Sequence, residues 1–242
     1  MIPLRDDVPS RSIPWMTWLL IAFNLLIFRF QLSLSPEALS ALVMTYGFIP
    51  ADFQLLLTPA AGFPGIFQVA PLFASLFLHG SWLHLISNLW SLWLFGDNVE
   101  DTVGHFRFLL FYLAGGVAAS LVHFLFQPAS TLPTIGASGA IAAVMGAYVI
   151  MFPLARITTL VPVFFIPLFF QVPSLLFIGF WFVSQVFSGV FSLFSSMNGG
   201  GIAWWAHIGG FLFGVLIIPF IRRKRWQYRC FYEDGHYHCQ YD

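Results

Sequence analysis

Three short patterns in this chain carry side chains suited to acyl-transfer chemistry. Ser138 stands in Gly136-Ala137-Ser138-Gly139, and His207 stands in Ala206-His207-Ile208-Gly209-Gly210. His84 and Asn88 are four residues apart, so on a helix they share one face. A hydroxyl can act as a nucleophile once a neighbouring imidazole takes its proton. An amide, an imidazole and a backbone N–H together could hold the oxyanion that forms when a carbonyl is attacked. Each pattern also has a plainer explanation. Serine is a common helix N-cap, glycines let helices pack closely, and a His–Asn pair can simply bond two helices together.

The elements that would position these groups follow from composition. The 242 residues are 59% hydrophobic and 8% charged, with 30 Phe and 9 Trp. A soluble domain carries about 25% charged residues and could not cover this much apolar surface. With a net charge of zero there is no basic footprint for nucleic acid. The apolar runs are continuous rather than alternating, which argues against a membrane β-barrel. The expected class is an all-α polytopic membrane protein. Three stretches, 53–96, 108–155 and 157–221, contain no Asp, Glu, Lys or Arg. Turn and breaker residues divide the chain into six candidate spans at about 13–30, 72–96, 108–126, 134–152, 173–194 and 202–221. The run 157–170, ITTLVPVFFIPLFF, is too short for a span and holds Pro162 and Pro167, so it is expected as a loop at the membrane surface.

Charge placement orients this bundle. With both termini cytoplasmic, Arg5, Arg11, Arg107, Arg156, 222–225 and Arg229 all fall inside, and only Arg29 falls at an outer edge. The leading segment is expected to be a retained anchor rather than a cleaved signal. The outer stretch 31–69 holds an amphipathic segment around 36–46. Residues 1–221 form one membrane domain, and 222–242 form a short cytoplasmic tail.

Polar side chains within spans are scarce, and each is a candidate for function. They are His79, His84, Asn88, His123, Ser138, Gln185 and His207. The second, fourth and sixth spans all run from outside to inside. His84, Asn88, Ser138 and His207 lie near their starts, roughly 5–15 Å below the outer surface at ~1.5 Å per residue. Gly210 and Gly214 share a helix face with His207, as Ala142 and Gly146 do with Ser138, so the two helices can approach closely. No acid lies at this depth to orient His207, which points to a Ser–His dyad. A zinc site from His79, His84 and His207 lacks a carboxylate or thiol to complete it, so no metal is expected.

These motifs, in this order and spacing, resemble the rhomboid family of intramembrane serine proteases, and the Pro-containing loop after the fourth span is similar to that of bacterial members. The resemblance covers about residues 13–220. It implies a six-transmembrane-helix bundle with a water-filled cavity open to the outside. It makes Ser138 the nucleophile and His207 the general base. The oxyanion would be held by His84, Asn88 and the Ser138 N–H, with His79, Gly136 and Gly139 in supporting roles. It further implies that the fifth span is a lateral gate and the loop 195–201 a cap. Substrates would be single-pass or polytopic membrane proteins, cut near the outer membrane face without a cofactor. The setting would be the plasma (inner) membrane, with the site opening to the periplasmic or extracellular side. The Trp-Arg element of some members is not found in the first outer segment. The tail holds Cys230, His236, His238 and Cys239. They are expected as reduced thiols beside histidines, with a small metal site as a lesser possibility. The competing functions are an inactive rhomboid-like protein that binds membrane clients and a channel or transporter. The transporter lacks the expected intramembrane carboxylates and inverted repeats.

Overall fold

The computed structural model describes residues 1–56, 69–194, 202–223, 227–233 and 236–241. Its principal helices are α1 (Trp15–Gln31), α2 (Pro36–Tyr46), α3 (Pro50–Leu56), α4 (Pro71–Ala74), α5 (Trp82–Val103), α6 (His105–Phe126), α7 (Ser138–Met151), α8 (Ser174–Phe194) and α9 (Trp204–Ile221). Each of the six expected spans overlaps one of α1, α5, α6, α7, α8 and α9, with α5 running on to Val103, past the expected end at 96. By length and composition, α6, α8 and α9 could each cross a membrane, while α1 and α7 are shorter apolar helices.

Local chemistry sets the boundaries. The second expected span, 72–96, is divided: α4 and a 3-10 turn (Ser75–Phe77) come first, and α5 starts afresh at Trp82. Ser81 causes the restart, because its hydroxyl caps α5 by accepting the His84 N–H at 3.2 Å. Gly104, at φ +89°, ends α5 and lets α6 begin at once. The amphipathic segment around 36–46 forms α2, capped by Ser35 with Pro36 at its first position.

Helix α7 is the axis of the core, and it packs against α5, α6 and α9. It meets α9 at backbone distance. A Cβ on Gly210 would lie 2.0 Å from the Gly139 carbonyl oxygen, and one on Gly214 would lie 2.0 Å from that of Ala143. Only glycine permits this crossing, and the two stripes of small residues in the sequence come together here.

Three expectations are corrected. The fold is mostly helical rather than all-α, and 157–170 is no loop. Strands β2 (Arg156–Val163) and β3 (Ile166–Pro173) form an antiparallel hairpin, and β1 (Ile2–Arg5) adds as a third strand beside β2. The two prolines that break a helix are tolerated because Pro162 and Pro167 face each other across the ladder. The pair lies next to Val163 and Ile166, which close the two-residue turn, so it falls where antiparallel strands exchange no N–H···O bonds and the missing donors cost nothing. Phe164 and Phe165 at the hairpin tip are almost wholly exposed. The two tail cysteines are also not the reduced thiols expected. Strands β4 (Tyr228–Glu233) and β5 (His236–Tyr241) place Cys230 opposite Cys239, and a disulfide joins them. Direct cross-strand placement explains the bond, and it takes both sulfurs away from any metal. The side chains of His236 and His238 lie outside the described residues.

The end of the bundle opposite Ser138 is held by carboxylates. Buried Glu100 accepts the first-turn amides of α1, Met16 N–H at 2.9 Å and Thr17 N–H at 2.7 Å, and also the Thr17 hydroxyl at 2.7 Å. An acid there satisfies donors that a helix start leaves unpaired. The leading segment crosses this end as a strap. Asp6 accepts from the Tyr148 hydroxyl, Asp7 accepts from the Arg156 N–H at 2.8 Å, and Ser12 donates to Asp101. Burial, with Asp97 and Asp7 nearby, pushes the Asp6 carboxyl up to about 7, although the Tyr148 hydroxyl opposes the rise. A cavity of about 500 Å³ at this end is lined by Arg5, Asp6, Arg11, Trp18, Trp93 and Asp97 among others, and it is remote from Ser138.

Candidate active site

The chain enters α7 through a fixed turn. Phe48 and Thr134 exchange two backbone hydrogen bonds, at 3.0 and 2.8 Å, and the Gly136 N–H donates to the Ser75 carbonyl at 2.9 Å. Gly136 has φ +124°, a conformation that side-chain-bearing residues rarely adopt. Ser138 follows as the first residue of α7. It is not the cap: Ala137 occupies that position, and no side-chain cap bond forms. The Ser138 hydroxyl instead reaches His207 on α9, with Oγ 2.8 Å from Nε2.

The other face of the imidazole is also engaged. His207 Nδ1 lies 2.7 Å from Gln185 Oε1 on α8. The amide orientation of Gln185 is set by its nitrogen, which donates to Ser184 Oγ at 3.1 Å and to the Trp181 carbonyl at 3.4 Å. An amide oxygen only accepts, so Nδ1 carries the proton. Nε2 is then the bare nitrogen, able to accept from the Ser138 hydroxyl. Trp181 and Trp204 flank the ring, with centroids 6.0 and 6.3 Å away.

His84 and Asn88 reach the same turn from α5. A Cβ on Gly136 would lie 2.6 Å from His84 Nε2 and 3.6 Å from Asn88 Nδ2, so the missing side chain is what admits them. Asn88 Nδ2 is buried and has no hydrogen-bond partner. An unpaired buried donor is costly, and here it faces the segment leading into Ser138. Four residues from three helices thus gather at one turn.

The remaining expected residues have other surroundings. His79 is buried just before α5. Its backbone N–H donates to Gln31 Oε1 at 3.0 Å, its carbonyl accepts from Gln31 Nε2 at 3.1 Å, and its ring stands 5.1 Å from that of His84. Gly139 provides close packing, since a Cβ there would lie 2.6 Å from Ala119 Cβ. His123 is buried on α6, and its Nδ1 has no partner. The expected cap at 195–201 lies outside the described residues. Among the described residues no three His, Cys, Asp or Glu side chains gather as a metal cage. Sequence reasoning missed Gln185 as the partner of His207. The signal for it was an amide in a span whose other polar side chains are all serines, with Ser188, Gly189 and Ser192 following at helical spacing.

Comparison with known proteins gives the same family that the motifs suggested. The Rhomboid domain model matches residues 67–224, well over half the chain. Presenilin-associated rhomboid-like protein A, mitochondrial, of Danio rerio is 30% identical over 168 residues, covering 66% of this chain and 39% of that protein. Rhomboid protein 1, mitochondrial, of Saccharomyces cerevisiae is 30% identical over 146 residues, 59% of this chain and 39% of that one. Rhomboid-like protein 11, chloroplastic, of Arabidopsis thaliana is 42% identical over 79 residues, 33% of this chain and 27% of that protein. The chain thus spans two fifths or less of the length of these relatives. The matched stretch contains Ser138, His207, His84 and Asn88, and the chain belongs to the rhomboid family.

Proposed function

We propose that the chain is an intramembrane serine endopeptidase that cuts transmembrane helices near the outer membrane face. The observation that carries this reading is the 2.8 Å contact between Ser138 Oγ and His207 Nε2. His207 takes the hydroxyl proton as Oγ attacks a carbonyl carbon, and later gives that proton to the leaving amine. The acyl-enzyme is then hydrolysed by water, with His207 again acting as the base. The oxyanion is held by the Ser138 N–H, unpaired at the start of α7, together with Asn88 Nδ2 and His84. Gly136 and Gly139 shape the turn, and His79 supports His84.

In this reading the domain at 1–221 crosses the membrane six times, through α1, α5, α6, α7, α8 and α9. Arg5, Arg11, Arg107, Arg156 and Arg222 all lie at the helix ends opposite Ser138. That asymmetry supports a cytoplasmic acid-rich end, with the site facing the outer side of a plasma (inner) membrane. Because a helix hides its carbonyls in its own hydrogen bonds, substrates are membrane proteins whose spans carry small or helix-breaking residues near that face. The reaction needs no cofactor.

Purified protein in liposomes, given a transmembrane reporter, tests this reading. Cleavage is expected in the wild type and is expected to vanish in Ser138→Ala and His207→Ala. Retained cleavage in both variants would sink the mechanism. A folded wild type with no cleavage of any membrane reporter would favour an inactive client-binding protein.

A further inference from the structure

We propose that Gln185 is the positioning residue for His207, and that the base is armed only while α8 is seated against α9. The proposal rests on the reading of Ser138 and His207 as nucleophile and base.

Gln185 occupies the place that a carboxylate takes in a Ser–His–Asp arrangement, one hydrogen bond behind the imidazole. Its Oε1 holds the proton on Nδ1 at 2.7 Å and so leaves Nε2 free for Ser138. Without that acceptor the ring can rotate, or can carry its proton on Nε2. In the second case Nε2 cannot take the serine proton. A neutral amide does this orienting work without placing a charge in an apolar span, where an ionised side chain is expensive.

The amide is unusual on its own helix. Helix α8 is mostly exposed: 22% of its most apolar stretch is buried, against 44% for α6 and for α9. Gln185 is among its few buried side chains, at 5% exposure. The nitrogen of the amide is anchored within α8, at Ser184 and Trp181, and its oxygen points across to α9. The hydrogen bond therefore spans the joint between the two helices. Gly189, one turn further along the same face, marks how close that joint is. A Cβ there would lie 3.3 Å from Ile208 Cδ1 and 3.4 Å from Trp205 Cε2. Moving α8 away by about 1 Å stretches a 2.7 Å hydrogen bond past its useful range. The position of the outermost helix is thus transmitted to the tautomer of the base, without any acid or metal.

Two variants and one spectrum test this. Gln185→Met keeps length and helix propensity but removes the acceptor. Its kcat on a transmembrane reporter is expected to fall roughly 10- to 100-fold, between the loss of one neutral hydrogen bond and the loss of the correct tautomer. KM is expected to stay within about twofold, since uniform binding is untouched. Gly189→Leu wedges α8 from α9 without altering any catalytic group, and it is expected to lower kcat in the same direction. The 15N spectrum of His207 in the wild type is expected to show a protonated Nδ1 and a bare Nε2, a pattern lost in both variants. Wild-type kcat in Gln185→Met, or a wild-type ring protonated on Nε2, would overturn the positioning role. Unchanged kcat and spectrum in Gly189→Leu would overturn the dependence on seating. A folded wild type that neither cleaves nor reacts with a fluorophosphonate would instead sink the protease reading, and the 15N spectrum would still decide whether Gln185 holds Nδ1.

Discussion

Gly210→Ala should impair catalysis more than it impairs folding. The added Cβ would sit 2.0 Å from the Gly139 carbonyl oxygen and 3.0 Å from its carbon. Carbon normally approaches a carbonyl oxygen no closer than about 3.3 Å. The partner is backbone, so no rotamer change relieves the clash, and α7 and α9 must part by about 1.3 Å. Gly139 adjoins Ser138, and Gly210 lies one turn from His207, so the displacement falls on the 2.8 Å Ser138–His207 contact. That contact would pass beyond useful hydrogen-bonding distance. A misplacement of about 1 Å can cost roughly 100-fold in rate, whereas overpacking costs about 1–3 kcal/mol of stability. The assay is turnover of a transmembrane reporter beside thermal unfolding in the same detergent. Gly179→Ala on α8 is the control, because nothing lies within 4 Å of its added Cβ. It should leave kcat unchanged and the helix slightly more stable. Wild-type turnover in Gly210→Ala would refute the claim that glycine contact sets the Ser–His distance.

Asn88→Ala should lower kcat roughly 10²- to 10³-fold with little change in KM, as expected for an oxyanion donor; an unchanged kcat would remove the amide from the mechanism. Glu100→Ala leaves the first-turn amides of α1 and the Thr17 hydroxyl without their acceptor, and denaturant unfolding in micelles should show a loss of about 2–5 kcal/mol. The Asp6 carboxyl is raised from 3.8 to about 7, so the folded state holds this proton more tightly than the unfolded chain. Its contribution to stability is therefore greatest at low pH and declines between about pH 4 and 7. The protection of β1 amides, relative to unstructured peptide at the same pH, should fall over that window, and Asp6→Asn should flatten the dependence; an identical slope in the variant would contradict it.

The scarcity of charge makes much of the candidate site legible in the sequence. In a chain with so few polar side chains, the depth shared by Ser138, His207, His84 and Asn88 stood out, and the structure brings these four residues to one turn. The small-residue faces of α7 and α9 were legible too, because three- and four-residue spacing alone defines a helix face. Gln185 was not legible as the neighbour of His207. Helix α8 does carry small and polar residues at helical spacing, Gln185, Ser188, Gly189 and Ser192, which mark its inward face, but nothing in that spacing says which residue of another helix the amide meets. An amide, unlike an acid, carries no charge to mark it as the partner of an imidazole. The hairpin at 157–170 was hidden because a continuous apolar run with prolines has no strand alternation. Its third strand, β1, comes from some 150 residues away along the chain, a pairing that no local pattern announces. The disulfide depends likewise on a register that sets Cys230 opposite Cys239.

The most direct test of the central claim is covalent labelling with a fluorophosphonate, followed by mass spectrometry of the modified peptide. A single adduct on Ser138 in the wild type is expected, with none in Ser138→Ala and strongly slowed labelling in His207→Ala. A folded wild type left unlabelled at Ser138, or labelled as fast when His207 is alanine, would contradict the assignment of these two residues as nucleophile and base.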